Sequence, residues 1–192
     1  MWFQRKGESS QIYCRILLKD KLGFQIGKKE WDERKNEMYD VVSWEFIKIE
    51  EWKYKPEEWE ERELVKIHLW DDKLWEIIIS TARTSVARAI VNSLAGCKEI
   101  WMLELGLYSK VGKDWKEYPN VWVKNNKERP DWFVALDKQD QYIDITEFKG
   151  KKMRDYTKLE QLLKDQYENI NKKSKYVPKE VKEEITDEPL PF

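Results

Sequence analysis

Apolar and polar residues alternate, or run together in short blocks, through most of the first seventy positions. Gln11–Lys19 is an apolar and β-branched run, followed by a Leu22–Gly23 turn and a second run over Phe24–Gly27. Tyr39–Trp52 alternates in part, with Val41, Val42, Trp44, Phe46, Ile47 and Ile49 at the apolar positions. Patterns near a period of two predict strands with one covered face. Pro56–Glu63 is acidic and suits an exposed turn. Residues 1–70 are therefore expected to form a β-rich N-terminal elaboration.

From Lys73 the period changes. Trp75, Ile78, Ile79, Ala82, Val86, Ala89, Ile90 and Ser93 recur at helical spacing up to an Ala95–Gly96 stop, which predicts a helix over Lys73–Leu94. Glu99–Tyr108 reads as a buried strand, and the polar connection Ser109–Glu128 holds a short strand at Val121–Val123. Asp131–Leu136 and Tyr142–Lys149 are expected to be the two strands of a hairpin. Arg154–Asn171, carrying Tyr156, Leu159, Leu162, Leu163, Tyr167 and Ile170, predicts the second helix. Apolar strands between two helices imply an α/β core over residues 71–176, with a mixed central sheet flanked by helices. The acidic, Pro-containing tail, 177–192, is expected to be loose.

Composition narrows this picture. A chain of 192 residues can bury one substantial core. Charged residues make up 38%, mostly Lys and Glu, well above the roughly 25% of an average domain. That bias fits a hyperthermophile or one of its viruses. The formal net charge is −1, but charge is segregated. Residues 1–29 carry seven Lys/Arg against two acids, residues 30–76 eight against sixteen, and residues 149–176 nine against four. Eleven Trp and nine Tyr are expected to fill the core, with base stacking open only to the most exposed of them.

Other chemistries are removed by what is missing. Cys14 and Cys97 have no Cys or His at ligand spacing, which argues against a thiolate zinc site; both are expected to be reduced core thiols. His68, the one histidine, lies between Ile67 and Leu69 and is expected to be structural. Ser-His-Asp and Cys-His catalysis would then have to run through His68 itself. No apolar run approaches the ~20 residues that span a bilayer, and no apolar leader opens the chain. A soluble cytoplasmic protein is expected, in the host cytoplasm if the source is viral.

The segment from Arg129 to Gly150 carries the candidate chemistry. A hairpin centred on Gln139 puts Asp131 directly opposite Glu147, with Cβ atoms ~5 Å apart, and the period of two brings Lys149 onto the same face. Facing carboxylates repel unless a cation sits between them, and two hard oxygen ligands suit Mg²⁺ or Mn²⁺. Such an ion would polarise a phosphoryl oxygen and help generate hydroxide, while Lys149 would orient water or offset charge on the phosphate. Glu104, inside the apolar strand, needs a partner or a metal, because an unpaired buried carboxylate is costly. Lys151, Lys152 and Arg154 follow the motif and are candidates for backbone phosphate contacts.

Pro130-Asp131, a gap of fifteen residues and Glu147-Phe148-Lys149 together resemble the PD-(D/E)XK nuclease superfamily, which includes restriction endonucleases, Holliday-junction resolvases and RecB-like nucleases. The resemblance covers roughly residues 73–170. It implies a restriction-endonuclease-like core, helix-strand-strand-strand-helix, and a metal-dependent nuclease acting on DNA. Asp131 and Glu147 would bind the metal, with Glu76 or Glu104 as a further ligand, and Lys149 would be catalytic. RecB-like members often present a Gln on the helix after that Lys, for which Gln161 or Gln166 is available, but their usual following Tyr spacing is absent, a departure from the RecB-like pattern and not from the superfamily's. Many such proteins are homodimers. Two other functions compete with cleavage: a non-catalytic nucleic-acid-binding protein, supported by the segregated charge and aromatic load, and a host-interaction protein using the acidic stretch Glu57–Glu63.

Overall fold

The computed structural model describes residues 12–17, 22–30, 33–54, 62–72, 75–82, 84–112, 115–148 and 150–178. The acidic tail beyond 178 and most of Pro56–Glu63 lie outside that set. Among the described residues the chain is mixed α/β, with one large curled sheet and few helices.

The sheet takes β1 (Ile12–Leu17), β2 (Gly23–Glu30), β3 (Glu33–Tyr39), β4 (Val41–Tyr54), β5 (Arg62–Asp71), β6 (Trp75–Ala82), β7 (Met102–Val111) and β8 (Glu117–Asn125) in the order β3-β2-β1-β6-β5-β4-β7-β8. Every pairing is antiparallel except β1 with β6. The strands expected in the N-terminal seventy residues therefore belong to the same sheet as β7 and β8. Register places Cys14, Phe24, Ile26, Phe46, Ile49, Ile67, Leu69, Ile77, Ile79, Leu103 and Leu105 on one face, and all are buried. That face is covered by α1 (Ser85–Gly96), α2 (Thr157–Lys164) and α3 (Tyr167–Lys172) through Val86, Ile90, Leu94, Leu159, Leu163 and Ile170. No helix among the described residues is long and apolar enough to cross a membrane.

The helix expected over Lys73–Leu94 is in fact a strand followed by a shorter helix. Glu76-Ile77-Ile78-Ile79-Ser80-Thr81 is dominated by β-branched residues, which lose χ1 freedom in a helix and pack well on a pleated surface. Because Ile77, Ile78 and Ile79 are all buried, the run has no alternation to distinguish it from a helix. Thr84 then caps α1, its hydroxyl accepting from the Ala87 N–H at 3.3 Å. The second expected helix is divided as well. Arg154 belongs to the short strand β10 (Lys151–Asp155), and the turn between α2 and α3 is tightened where the Gln166 N–H donates to the Leu163 carbonyl, 3.1 Å away.

β4 shifts register between Phe46 and Lys48, where it parts from β7. The backbone groups released there find partners in α3 and the residues just after it. Asn171 accepts from the Ile49 N–H at 2.7 Å and donates to its carbonyl at 2.9 Å, and the Ser174 hydroxyl donates to the Phe46 carbonyl at 2.8 Å. Buried backbone groups have to be paired, so α3 is held to the sheet by hydrogen bonds as well as by Ile170.

His68 is buried on the opposite face. Its Nδ1 lies 2.6 Å from a Glu76 oxygen and its Nε2 3.0 Å from Glu50, linking β4, β5 and β6. Cys14 and Cys97 are free and buried; burial pushes the Cys14 thiol up to about 12.

Candidate functional site

The hairpin expected over residues 131–149 does not form. Residues 131–135 are irregular, Leu136–Tyr142 is a 3-10 helix, and β9 (Asp144–Phe148) pairs with β10 around Gly150, whose φ is 73°. The cause lies in α1. Asn92, 2% exposed, accepts from the Val134 N–H at 2.8 Å and donates to the Val134 carbonyl at 3.0 Å. Its own backbone carbonyl accepts from the Phe133 N–H at 3.1 Å. The groups that a strand ladder would need are thus taken by a helix. The Asp131 carbonyl also packs against Gly96, where a Cβ would collide with it.

This rearrangement places the expected site residues on different elements. Asp131 is exposed on the irregular segment. Glu147, also exposed, faces Lys152 across the β9–β10 ladder rather than Asp131. Lys149 lies outside the described residues. Glu104 is on β7 and has the partner its position requires, Lys124 of β8 at 2.9 Å. Glu76 is on β6, bound to His68. With β5 and β4 between them, Glu76 and Glu104 stand three strand spacings apart, roughly 14 Å, too far to share one ion. Among the described residues no three His, Cys, Asp or Glu side chains converge as a metal-holding group. Glu76 and Glu104 therefore cannot both ligate the ion expected at Asp131 and Glu147. Gln161 is exposed on α2 and donates to Asp165 at 2.8 Å. Lys151, Lys152 and Arg154 are exposed on β10, with Arg154 3.9 Å from Asp140.

A different concavity is present. A cleft of about 290 Å³ opens between α1, the β7–β8 hairpin, the 132–139 segment and α2, close to the lower end of the usual ligand-site range. Arg88, on α1, is held by Glu160 at 2.6 Å and lies 3.9 Å from the centre of the Tyr156 ring, so its guanidinium is fixed in place. Lys110 and Tyr108 enter from β7 and Asn120 from β8. Gln139 approaches from the 3-10 helix, donating to the Val134 carbonyl at 3.3 Å.

Trp132 completes the wall and is 37% exposed, whereas the tryptophans are expected from the sequence to fill the core. Cations, amides and aromatic rings thus border one space. None of these residues stands out in sequence. Arg88 reads as the polar side of a helix, and Asn120 falls in a stretch that reads as a polar connection. The recoverable signal was Tyr108-Ser109-Lys110, an aromatic and a cation two apart where a buried strand ends.

No protein family, curated protein or solved structure matches this chain.

Proposed function

We propose that the protein binds single-stranded nucleic acid, taking an unpaired nucleotide into the cleft between α1, β7–β8 and α2. The observation that carries this is the placing of the Trp132 and Tyr108 rings beside Arg88 and Lys110 around one cleft. An exposed ring offers a base a stacking surface worth about 1–3 kcal/mol. Cations attract the phosphates, which makes binding salt-dependent, and amides such as Asn120 and Gln139 suit the edges of an unstacked base. Fluorescence polarisation with labelled dT12 and rU12 is the direct test. Affinity should fall as salt rises, and Trp132→Ala should weaken it by about 5- to 150-fold, the equivalent of one stacked base. Salt-independent binding, or unchanged affinity in Trp132→Ala together with Lys110→Glu, would remove the proposal.

A second function is supported by one specific placement: Asp131 is exposed and directly precedes Trp132, a residue of the cleft lining. We propose as the alternative a Mg²⁺- or Mn²⁺-dependent nuclease acting on DNA, as the Asp131, Glu147 and Lys149 pattern suggests. In that case α1, β7 and β8 would supply the first elements of a restriction-endonuclease-like core. Cleavage of linear or single-stranded DNA that needs Mn²⁺ and disappears in both Asp131→Ala and Glu147→Ala would support it. Binding without cleavage would leave the non-catalytic function standing.

A further inference from the structure

The β7–β8 hairpin supplies Tyr108, Lys110, Asn120 and Val121 to the cleft and continues past it. Past Tyr108 and Lys110 the strands run to a tight tip, where the Gly112 N–H donates to the Lys116 carbonyl at 2.8 Å and the Trp115 N–H donates to the Gly112 carbonyl at 3.1 Å. Trp115 has φ 60°, a left-handed backbone that is unfavourable for a residue with a bulky side chain. Its ring is 89% exposed. A large apolar ring held out in water on a strained backbone contributes nothing to the core; such outliers concentrate where function requires them.

The ring is not isolated. Val111, 55% exposed, and Tyr118, 48% exposed, lie on the strands just behind the tip, and Tyr118 faces Lys110 across the ladder. Lys116 follows Trp115 directly and is exposed. Aromatic rings therefore alternate with ammonium groups from the tip back to the cleft mouth. The three residues from Tyr108 to Val111 span about 10 Å, so a ligand touching both ends must be longer than one nucleotide.

We propose that the hairpin is a second contact for the same single strand. The strand would leave the cleft past Tyr108, follow the hairpin with Lys110 and Lys116 near its phosphates, and stack a base on Trp115. This rests on the cleft binding proposed above. It predicts discrimination by length, because a mononucleotide fills the cleft alone while an oligonucleotide also reaches the tip. Duplex DNA, whose bases are already stacked, cannot offer one to Trp115.

The test measures dTMP by calorimetry and labelled dT12 by polarisation, for wild type, Trp115→Ala, Trp115→Phe and Trp132→Ala. Trp115→Ala should weaken dT12 by about tenfold, within the range for one stacked base, and leave dTMP unchanged. Trp115→Phe should restore most of the loss, and a 12-base-pair duplex should compete poorly. Because the ring is exposed, the melting temperature of Trp115→Ala should match wild type. If dT12 binds Trp115→Ala as it binds wild type while Trp132→Ala fails, the hairpin contact is wrong and the cleft stands. If wild type binds neither probe, both fall. If Trp115→Ala instead loses only binding to vesicles containing anionic lipid, the tip is a membrane contact and the proposal is overturned.

Discussion

Asn92 decides where the 131–134 segment lies, and its replacement by leucine has a calculable cost. The side chain is 2% exposed and makes paired hydrogen bonds, 2.8 and 3.0 Å, with the backbone of Val134, itself 6% exposed. Leucine has nearly the same shape but neither a donor nor an acceptor. The Val134 N–H would then be buried without a partner, at about 1–3 kcal/mol. The Val134 carbonyl loses less, because Gln139 still donates to it at 3.3 Å. A total of about 2–4 kcal/mol follows, equivalent to a fall of roughly 5–15 °C in melting temperature for a domain of this size. Urea unfolding at pH 7 measures the free energy, and polarisation with dT12 reports the cleft wall, which should be lost along with the position of Trp132. Asn92→Asp keeps the acceptor for the N–H but turns a carboxylate oxygen toward the Val134 carbonyl, so it should be no better than leucine. A loss below about 0.5 kcal/mol, the level of an ordinary surface substitution, would show that Asn92 does not hold this segment.

Three further outcomes are expected. Gly96→Ala should destabilise by about 1–3 kcal/mol, because the added carbon meets the Asp131 backbone rather than a movable side chain; urea midpoints read this directly. Burial pushes the Glu50 carboxyl up, but hydrogen bonds and charge from Lys48 and His68 outweigh it and hold the group below its ordinary 4.5. Its stabilisation is therefore complete above pH 4.5 and is lost as pH falls through the lowered value. Glu50→Gln should be less stable than wild type at pH 7, and the gap should narrow below pH 4.5. Cys14, buried and pushed up to about 12, should resist iodoacetamide at pH 8 in the folded protein and react once urea unfolds it.

How much of the fold was legible depends on where each backbone group finds its partner. The strands β1, β2 and β4 could be read because apolar residues on one face of a strand leave a local trace with a period of two. The Gly96 end of α1 is equally local. The run Ile77-Ile78-Ile79 was not decidable by period, since burial on both faces erases alternation; β-branching was the better signal there. The expected hairpin failed for a non-local reason. Opposition of Asp131 and Glu147 followed from assuming that neighbouring apolar segments pair with each other, yet Val134 pairs with Asn92, forty-two residues earlier, and Glu147 with Lys152.

The amino-acid order by itself determined the apolar faces, the Gly96 end of α1 and the buried thiols. Tertiary structure alone decided which polar side chain meets which backbone group. It thereby moved Trp132 from an expected core position to a cleft wall and brought Arg88, Lys110 and Asn120 around it. Periodicity records which side of an element avoids water, whereas a hydrogen bond from a buried amide can be satisfied anywhere in the chain that geometry brings within about 3 Å.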